Sequence, residues 1–242
     1  MAASLRLNGQ TVVVTGGTSG IGFATALMAI TEGAGEVILI GRSEDRGASA
    51  VKALGDRARS MMLDVTDEVA VARAFSELGP IDHLVTAAAG TCRGRVTELA
   101  TEGARALFES KFWGQYHCVK YGGPQVRPTG SITLFSGWIS RKPMIGTGTL
   151  AAIDGAIEAL GRVLSLELAP IRVNTVVPGM IDTPLWGARL SPDQQREHFA
   201  TIRRDLPVGR AGTAEDVAHA VMFLMTNGFT TGAVVDVDGG QR

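Results

Sequence analysis

The chain has 242 residues, of which 45% are hydrophobic and 19% are charged, and its formal net charge is −1. That apolar content suits one packed domain rather than a disordered chain, and the near-zero charge argues against nucleic acid or an anionic membrane as a partner. No run reaches the roughly 18 apolar residues of a membrane span, the start lacks a signal-peptide pattern, and the two cysteines form no metal-binding cluster with the four histidines. The sequence therefore predicts a cytoplasmic protein without a metal site.

Short β-branched runs alternate with helix-length segments along the whole chain. The predicted strands are 11–16, 36–41, 58–63, 82–89, 130–136, 171–177 and 232–239. The predicted helices are 21–32, 44–54, 68–78, 102–121, 150–168 and 214–225. The strands are continuously apolar, which is typical of parallel strands covered on both faces. We therefore expect a single α/β domain over residues 1–242, a Rossmann-like doubly wound parallel sheet of about seven strands with helices on both faces.

One long stretch, residues 178–207, shows no regular pattern and follows a predicted strand. Long irregular segments in compact domains are often lids over ligand sites. The sequence predicts that residues 178–207 form a lid or substrate loop.

The segment "TVVVTGGTSGIGFATALMA" reads as a strand, a glycine-rich turn and a helix. Glycines in such a turn let the backbone approach a pyrophosphate, and the helix directs its free N–H groups at the phosphates. The residues predicted to bind the cofactor here are Gly16, Thr18, Ser19, Gly20, Ile21 and Gly22.

The end of the second strand, "ILIGRSEDR", indicates which dinucleotide binds. A carboxylate at this point would bind the adenine ribose hydroxyls, but the chain has Gly41 there, followed by Arg42 and Ser43. A guanidinium can pair with a 2′-phosphate through two hydrogen bonds. The sequence therefore predicts NADP(H) rather than NAD(H) as the cofactor.

Taken together, these motifs resemble the short-chain dehydrogenase/reductase family in its compact single-domain form, over nearly the whole chain. "DV" at 64–65, "LVTAAAG" at 84–90 and "IRVNTVVPGMIDTP" at 171–184 resemble the family's further cofactor-binding segments, although both asparagines of the second are absent. The resemblance implies cofactor contacts from Asp64, Val65, Ala87, Ala88, Ala89, Pro178, Gly179, Ile181 and Thr183. It also implies a homodimer or homotetramer built through the last helix and strand.

The family's reaction uses a serine, a tyrosine, a lysine four residues after it and an asparagine from an earlier helix. By resemblance, Ser136 matches the serine, Leu150 and Asp154 stand at the tyrosine and lysine positions, and Lys111 stands at the asparagine position. We expect Lys111 and Asp154 to form a buried pair, so that neither charge is left alone. Asp154 would also accept hydrogen bonds from the nicotinamide ribose. The predicted catalytic residues are therefore Ser136, Asp154 and Lys111, and the alternative is a purely structural pair.

Several further side chains are predicted to face a small-molecule substrate. They are Ser140, Arg141 and Lys142 after the fifth strand, Arg93 and Arg95 after the fourth, and two tryptophans, Trp138 and Trp186. Clustered cations favour an anionic substrate, but solvated loop charges are an equal alternative.

Three functions are consistent with this pattern. The first is an NADP(H)-dependent oxidoreductase with a non-standard active site that reduces a carbonyl, an imine or an activated enone. The second is a non-redox cyclase or isomerase that uses the nucleotide as a wall of its pocket. The third is a nucleotide-binding pseudoenzyme that serves as a subunit or sensor.

Overall fold

The computed structural model describes residues 6–88, 90, 92–184, 186 and 190–241. Its strands are β1 (Thr11–Thr15), β2 (Glu36–Gly41), β3 (Ala58–Met62), β4 (Ile81–Thr86), β5 (Val126–Phe135), β6 (Arg172–Pro178), β7 (Ile181–Asp182), β8 (Gly212–Thr213) and β9 (Val234–Val237). The main sheet has seven parallel strands in the order β3-β2-β1-β4-β5-β6-β9, and β7 pairs with β8. The predicted single Rossmann-like domain is confirmed.

The helices are α1 (Gly20–Thr31), α2 (Glu44–Leu54), α3 (Glu68–Leu78), α4 (Thr101–Phe108), α5 (Gly114–Gly122), α6 (Gly148–Glu167), α7 (Pro192–Asp205) and α8 (Ala214–Thr226). A π-helical turn, Glu109–Trp113, joins α4 to α5 within the segment predicted as one helix over 102–121. Such turns occur mostly as single insertions in α-helices, frequently at functional sites. Within the described part of the chain, none of the helices combines the length and apolar composition needed to cross a bilayer.

Alternate residues of β1 enter two separate hydrophobic cores. Val13 packs in the core that contains Phe75 of α3, whereas Val12 and Val14 pack in the core that contains Val221 of α8. Successive strand side chains point to opposite faces, so the sheet is covered on both sides. This is why β1 and β2 are continuously apolar rather than alternating.

The prediction that residues 178–207 lack regular structure is wrong, because this segment contains α7. Ser191 and Gln194 form a capping box at its start, which satisfies two otherwise free backbone groups. Only Phe199 and Ile202 of this helix are buried. Because so few of its apolar residues face inward, the sequence of this helix shows only a weak hydrophobic periodicity. A lid role for the segment stays a prediction.

Candidate active site

A cleft with a volume of ≈650 Å³ opens at the carboxyl ends of the parallel strands, where β1 and β4 run side by side. The chain order reverses between these strands, which is where open α/β sheets bind ligands. The predicted site residues that line it are Gly16, Thr18, Ser19, Gly20, Ile21, Gly22, Arg42, Asp64, Val65, Ala87, Ala88, Lys111, Ser136, Asp154, Pro178, Gly179, Ile181 and Thr183. Residues from six loops thus meet in one cleft.

One predicted cofactor residue, Ser43, does not line this cleft. The hydroxyl of Ser43 accepts a hydrogen bond from the backbone N–H of Arg46 at 3.4 Å and so caps α2. Ala89 lies outside the described residues. Arg46, which the sequence reasoning missed, does line the cleft. Arg46 lies four residues after Arg42, in the first turn of α2. This spacing could have indicated that both side chains face the same cleft.

The glycine-rich loop fits a bound dinucleotide. Gly16 has a φ of +68°, and a Cβ there would lie 2.8 Å from the backbone nitrogen of Ala88. At the start of α1, the side chain of Ser19 forms no capping hydrogen bond, unlike Ser43 of α2. The first backbone N–H groups of α1 therefore face the cleft without a side-chain acceptor, as a pyrophosphate site requires.

The part of the cleft beside the end of β2 fits a 2′-phosphate. A Cβ at Gly41 would lie 3.1 Å from the side chain of Thr18, so the end of β2 passes close to the glycine-rich loop. Arg42 and Arg46 both line this end, and both are exposed. Two guanidinium groups beside a cleft, with a glycine where a carboxylate would repel phosphate, favour the phosphorylated nucleotide.

Replacing Arg42 by alanine is expected to weaken NADPH binding by about 10- to 100-fold, since a charge-assisted hydrogen bond contributes about 1.5–3 kcal/mol. NADH binding should change little, because NADH lacks the 2′-phosphate. Fluorescence titration with both nucleotides measures the two constants. Arg59→Ala is the control, because Arg59 pairs with Glu36 at 2.7 Å outside the cleft. Equal losses for NADPH and NADH would contradict this role of Arg42.

Lys111 and Asp154 form the predicted buried pair. The Lys111 ammonium donates to Oδ1 of Asp154 and, at 3.4 Å, to the backbone carbonyl of Ser136. The side chains are 9% and 1% exposed, so the pair is shielded from water. Burial raises the pKa of the Asp154 carboxyl, and the neighbouring ammonium opposes that rise.

The second oxygen of Asp154 is held against Gly137. Oδ2 is buried and has no hydrogen-bond partner among the described residues. A Cβ at Gly137 would lie 2.7 Å from this oxygen. A side chain at position 137 would collide with the Asp154 carboxylate, so this packing requires a glycine at that position. An orphaned acceptor at this place fits a ligand hydroxyl or N–H group.

A tyrosine and a lysine four residues apart do occur in the chain, at Tyr116 and Lys120 of α5, and the sequence reasoning overlooked them. Neither lines the cleft. Lys120 donates to Glu68 of α3 at 2.7 Å, and the ring of Tyr116 lies 5.3 Å from that of Trp113. The residue that faces the cleft from the start of α6 is Leu150.

The hydroxyl of Ser136, a predicted catalytic residue, is engaged within the protein. It lies 2.9 Å from a carboxylate oxygen of Glu158 and 3.1 Å from the backbone carbonyl of Asp154. Glu158 also accepts from Ser140 at 2.7 Å and pairs with Arg141 at 3.1 Å. Burial alone would raise the pKa of Glu158, but these hydrogen bonds outweigh it and lower the pKa. Glu158, one turn after Asp154 on α6, is a site neighbour that the sequence reasoning missed.

The predicted cationic cluster separates into distinct environments. Arg141 is paired with both Glu158 and Asp236. Arg95 pairs with Glu98 at 3.8 Å and, like Lys142, does not line the cleft. Arg93 does line it, together with both predicted tryptophans, Trp138 and Trp186.

Comparisons with known proteins place this geometry in a family. Residues 8–242 match a family model described as enoyl-(acyl carrier protein) reductase. The short-chain dehydrogenase/reductase ATR9 of Stachybotrys chlorohalonatus is 32% identical over 255 residues, which cover 97% of each chain.

Two solved structures are similar as well. A small-chain dehydrogenase in complex with NADPH is 35% identical, with a TM-score of 0.81 over 96% of this chain and 98% of the other. The MalC reductase/Diels-Alderase of Malbranchea aurantiaca is 28% identical, with a TM-score of 0.90 over 98% of each chain.

The sheet order and the cleft define a dinucleotide-binding α/β protein. The chain belongs to the short-chain dehydrogenase/reductase family, since the family model and a relative at 32% identity both cover almost its full length. The family resemblance read from the sequence is therefore confirmed. The prediction of NADP(H) agrees with the NADPH held by one similar structure.

Proposed function

We propose that the protein is an NADP(H)-dependent oxidoreductase that reduces a carbonyl, an imine or an activated enone of a small molecule through a non-standard active site. The observation that carries the proposal is the Lys111–Asp154 pair, which lies in the same cleft as the dinucleotide loop. Lys111 supplies a proton donor and Asp154 its counter-charge, whereas Leu150, which stands at the family's tyrosine position, cannot transfer a proton.

The cofactor assignment is supported by the fit of the loop and by the bound NADPH of a similar structure. The glycine-rich loop and the start of α1 would hold the pyrophosphate, and Arg42 and Arg46 would hold the 2′-phosphate. Asp64 and Val65 would contact the adenine, and Thr183 would contact the nicotinamide half. When bound, NADPH supplies the hydride.

Lys111 would serve as the acid at the substrate. An ammonium carries three N–H donors, and two of those of Lys111 are directed at Asp154 and at the Ser136 carbonyl. The remaining N–H can donate to the substrate oxygen or nitrogen as its electron density rises. Asp154 stabilises the ammonium and can accept from the nicotinamide ribose through Oδ2.

The test uses one equivalent of NADPH deuterated at the transferable C4 position, with panels of imines and activated enones. We expect product that carries one deuterium for each NADP⁺ formed, as measured by mass spectrometry. The double variant Lys111→Met/Asp154→Leu should lower the rate by about 10²–10⁴-fold, the usual contribution of proton transfer. Unlabelled product, or wild-type rates in the double variant, would overturn the proposal.

A second function, a non-redox cyclase or isomerase, is favoured by one comparison. The similar structure named as a reductase/Diels-Alderase unites both kinds of activity in one name. In that function Lys111 and Asp154 would act as acid and base on a substrate that leaves NADPH intact. The same labelling experiment separates the two, because conversion without NADP⁺ formation supports the second. A pseudoenzyme would convert no substrate and would co-purify with a partner in fixed ratio.

A further inference from the structure

A buried glutamine follows Lys111 by one helical turn. Gln115 of α5 is 2% exposed, and it does not line the cleft. Its Nε2 donates to the backbone carbonyls of Lys111 and Phe135, both at 2.9 Å. Its Oε1 accepts from the backbone N–H of Phe135 at 2.8 Å and from the hydroxyl of Thr86 at 2.7 Å. Because two carbonyls face Nε2 and an N–H faces Oε1, the amide has only this orientation.

The amide takes the place of a strand residue between β4 and β5. Pairing of these two strands ends at Thr86. Beyond it, the backbone N–H groups of Ala87 and Ala88 both donate to Thr15 of β1, at 3.1 and 3.3 Å. The N–H and carbonyl of Phe135 therefore face a gap in the sheet, and buried backbone groups without partners are costly. The side-chain amide fills this gap and so fixes α5 to the end of β5.

The contacts of Gln115 fix both ends of Lys111. The amide joins the backbone carbonyl of Lys111 to Phe135. The next residue of the chain, Ser136, provides the carbonyl to which the Lys111 ammonium donates at 3.4 Å. The stem of a lysine side chain is flexible, so its ammonium has a fixed place only when the backbone and the hydrogen-bond partners are fixed together. Here both are tied to the end of β5.

We propose that Gln115 is the positioning residue for the Lys111 ammonium, which it holds in place beside Asp154 and within reach of the substrate. This inference rests on the proposed function in one respect, since it takes Lys111 to be the acid. Gln115 does not line the cleft, so it acts through Lys111 and not on a ligand. Its effect is geometric, because a displacement of about 1 Å at a reacting group can lower a rate by about 10²-fold.

The test observes the Lys111 ammonium directly by ¹⁵N NMR of the labelled full chain and needs no substrate. The signal is assigned by its absence in Lys111→Met. In the wild type we expect slow exchange of the ammonium hydrogens with water, because the side chain is 9% exposed and paired with Asp154. In Gln115→Met, which has a similar length but no amide, exchange should accelerate at least about 10-fold. Gln115→Glu keeps one O–H donor as a buried neutral acid and should fall between the two.

Thr86→Val is the matched control. The Thr86 hydroxyl donates to the amide and lies 3.2 Å from the carbonyl of Thr133, so its removal costs buried hydrogen bonds but leaves the link from Gln115 to Lys111 in place. This variant should lower the melting temperature and leave the exchange of the ammonium unchanged. Wild-type exchange in both Gln115 variants, or equal acceleration in Thr86→Val, would overturn the proposal, because Gln115 would then contribute only stability.

Turnover distinguishes failure of this inference from failure of the proposed function. With any substrate that takes deuterium from labelled NADPH, Gln115→Met should lower kcat by about 10- to 100-fold and leave NADPH affinity and KM unchanged. A loss of stability alone would not produce this separation of kcat from KM. A wild-type kcat together with accelerated exchange would contradict the role of Lys111 as the acid, whereas the positioning of its ammonium by Gln115 would stand.

Discussion

Replacement of Lys111 by methionine is expected to lower the free energy of unfolding by about 3–5 kcal/mol, because it leaves the Asp154 carboxylate buried without its counter-charge. The side chains of the two residues are only 9% and 1% exposed, so water cannot take the place of the ammonium. Urea denaturation followed by circular dichroism measures the loss.

The double variant Lys111→Met/Asp154→Leu should recover most of that stability, since removal of both members of a buried pair is often neutral. Lys120→Met is the matched control. Lys120 also pairs with a carboxylate, that of Glu68, but the two side chains are 49% and 44% exposed, so its loss should matter far less. A Lys111→Met variant as stable as Lys120→Met would show that the buried pair contributes little.

Replacement of Gly16 by alanine is expected to cost about 2–5 kcal/mol of stability, the sum of a left-handed backbone penalty and steric overlap. Its φ is +68°, and the new Cβ would lie 2.8 Å from the nitrogen of Ala88 and 2.9 Å from the carbonyl oxygen of Ala87. These backbone atoms cannot move aside as a flexible side chain would. NADPH affinity should fall at least about 10-fold, because the displaced loop no longer fits the pyrophosphate.

Gly55→Ala separates the two causes. Gly55 has a φ of +83° and a ψ of −168°, a backbone conformation essentially restricted to glycine, but no atom lies within 4 Å of its Cβ position, so alanine there adds only backbone strain of about 1–3 kcal/mol. It lies away from the cleft and should leave NADPH binding unchanged. Thermal unfolding measures the stability of both variants, and nucleotide titration measures their affinity for NADPH. Equal losses of stability and no change in NADPH affinity would contradict the close approach at Gly16.

The fold was predictable because its signals are local. Strand and helix periods are properties of short segments, and α2 and α3 have the bounds expected from the sequence, Glu44–Leu54 and Glu68–Leu78. The exceptions have local causes as well. The segment over 102–121 contains a π-helical turn, whose side chains keep a helical spacing. Helix α7 was missed because only two of its side chains are buried.

The candidate site was predictable in part. The glycine-rich loop, Arg42 and the Lys111–Asp154 pair follow from motifs with fixed spacing, and the structure brings them into one cleft. The sequence did not show which of these side chains are free to bind a ligand. Ser136 and Arg141 look free in the sequence, but Glu158 engages both. The homodimer or homotetramer stays a prediction.

The sequence by itself determined the α/β class and the glycine-rich loop that lines the cleft. Only the tertiary structure decided which charges are neutralised. Lys111 meets Asp154 across 43 positions, and Arg141 meets Asp236 across 95. Arg93 is left without a carboxylate among the described residues, although Arg95, two positions away, has one. The physical reason is that backbone periodicity is set by neighbours along the chain, whereas a side chain's charge partner is set by how distant elements pack.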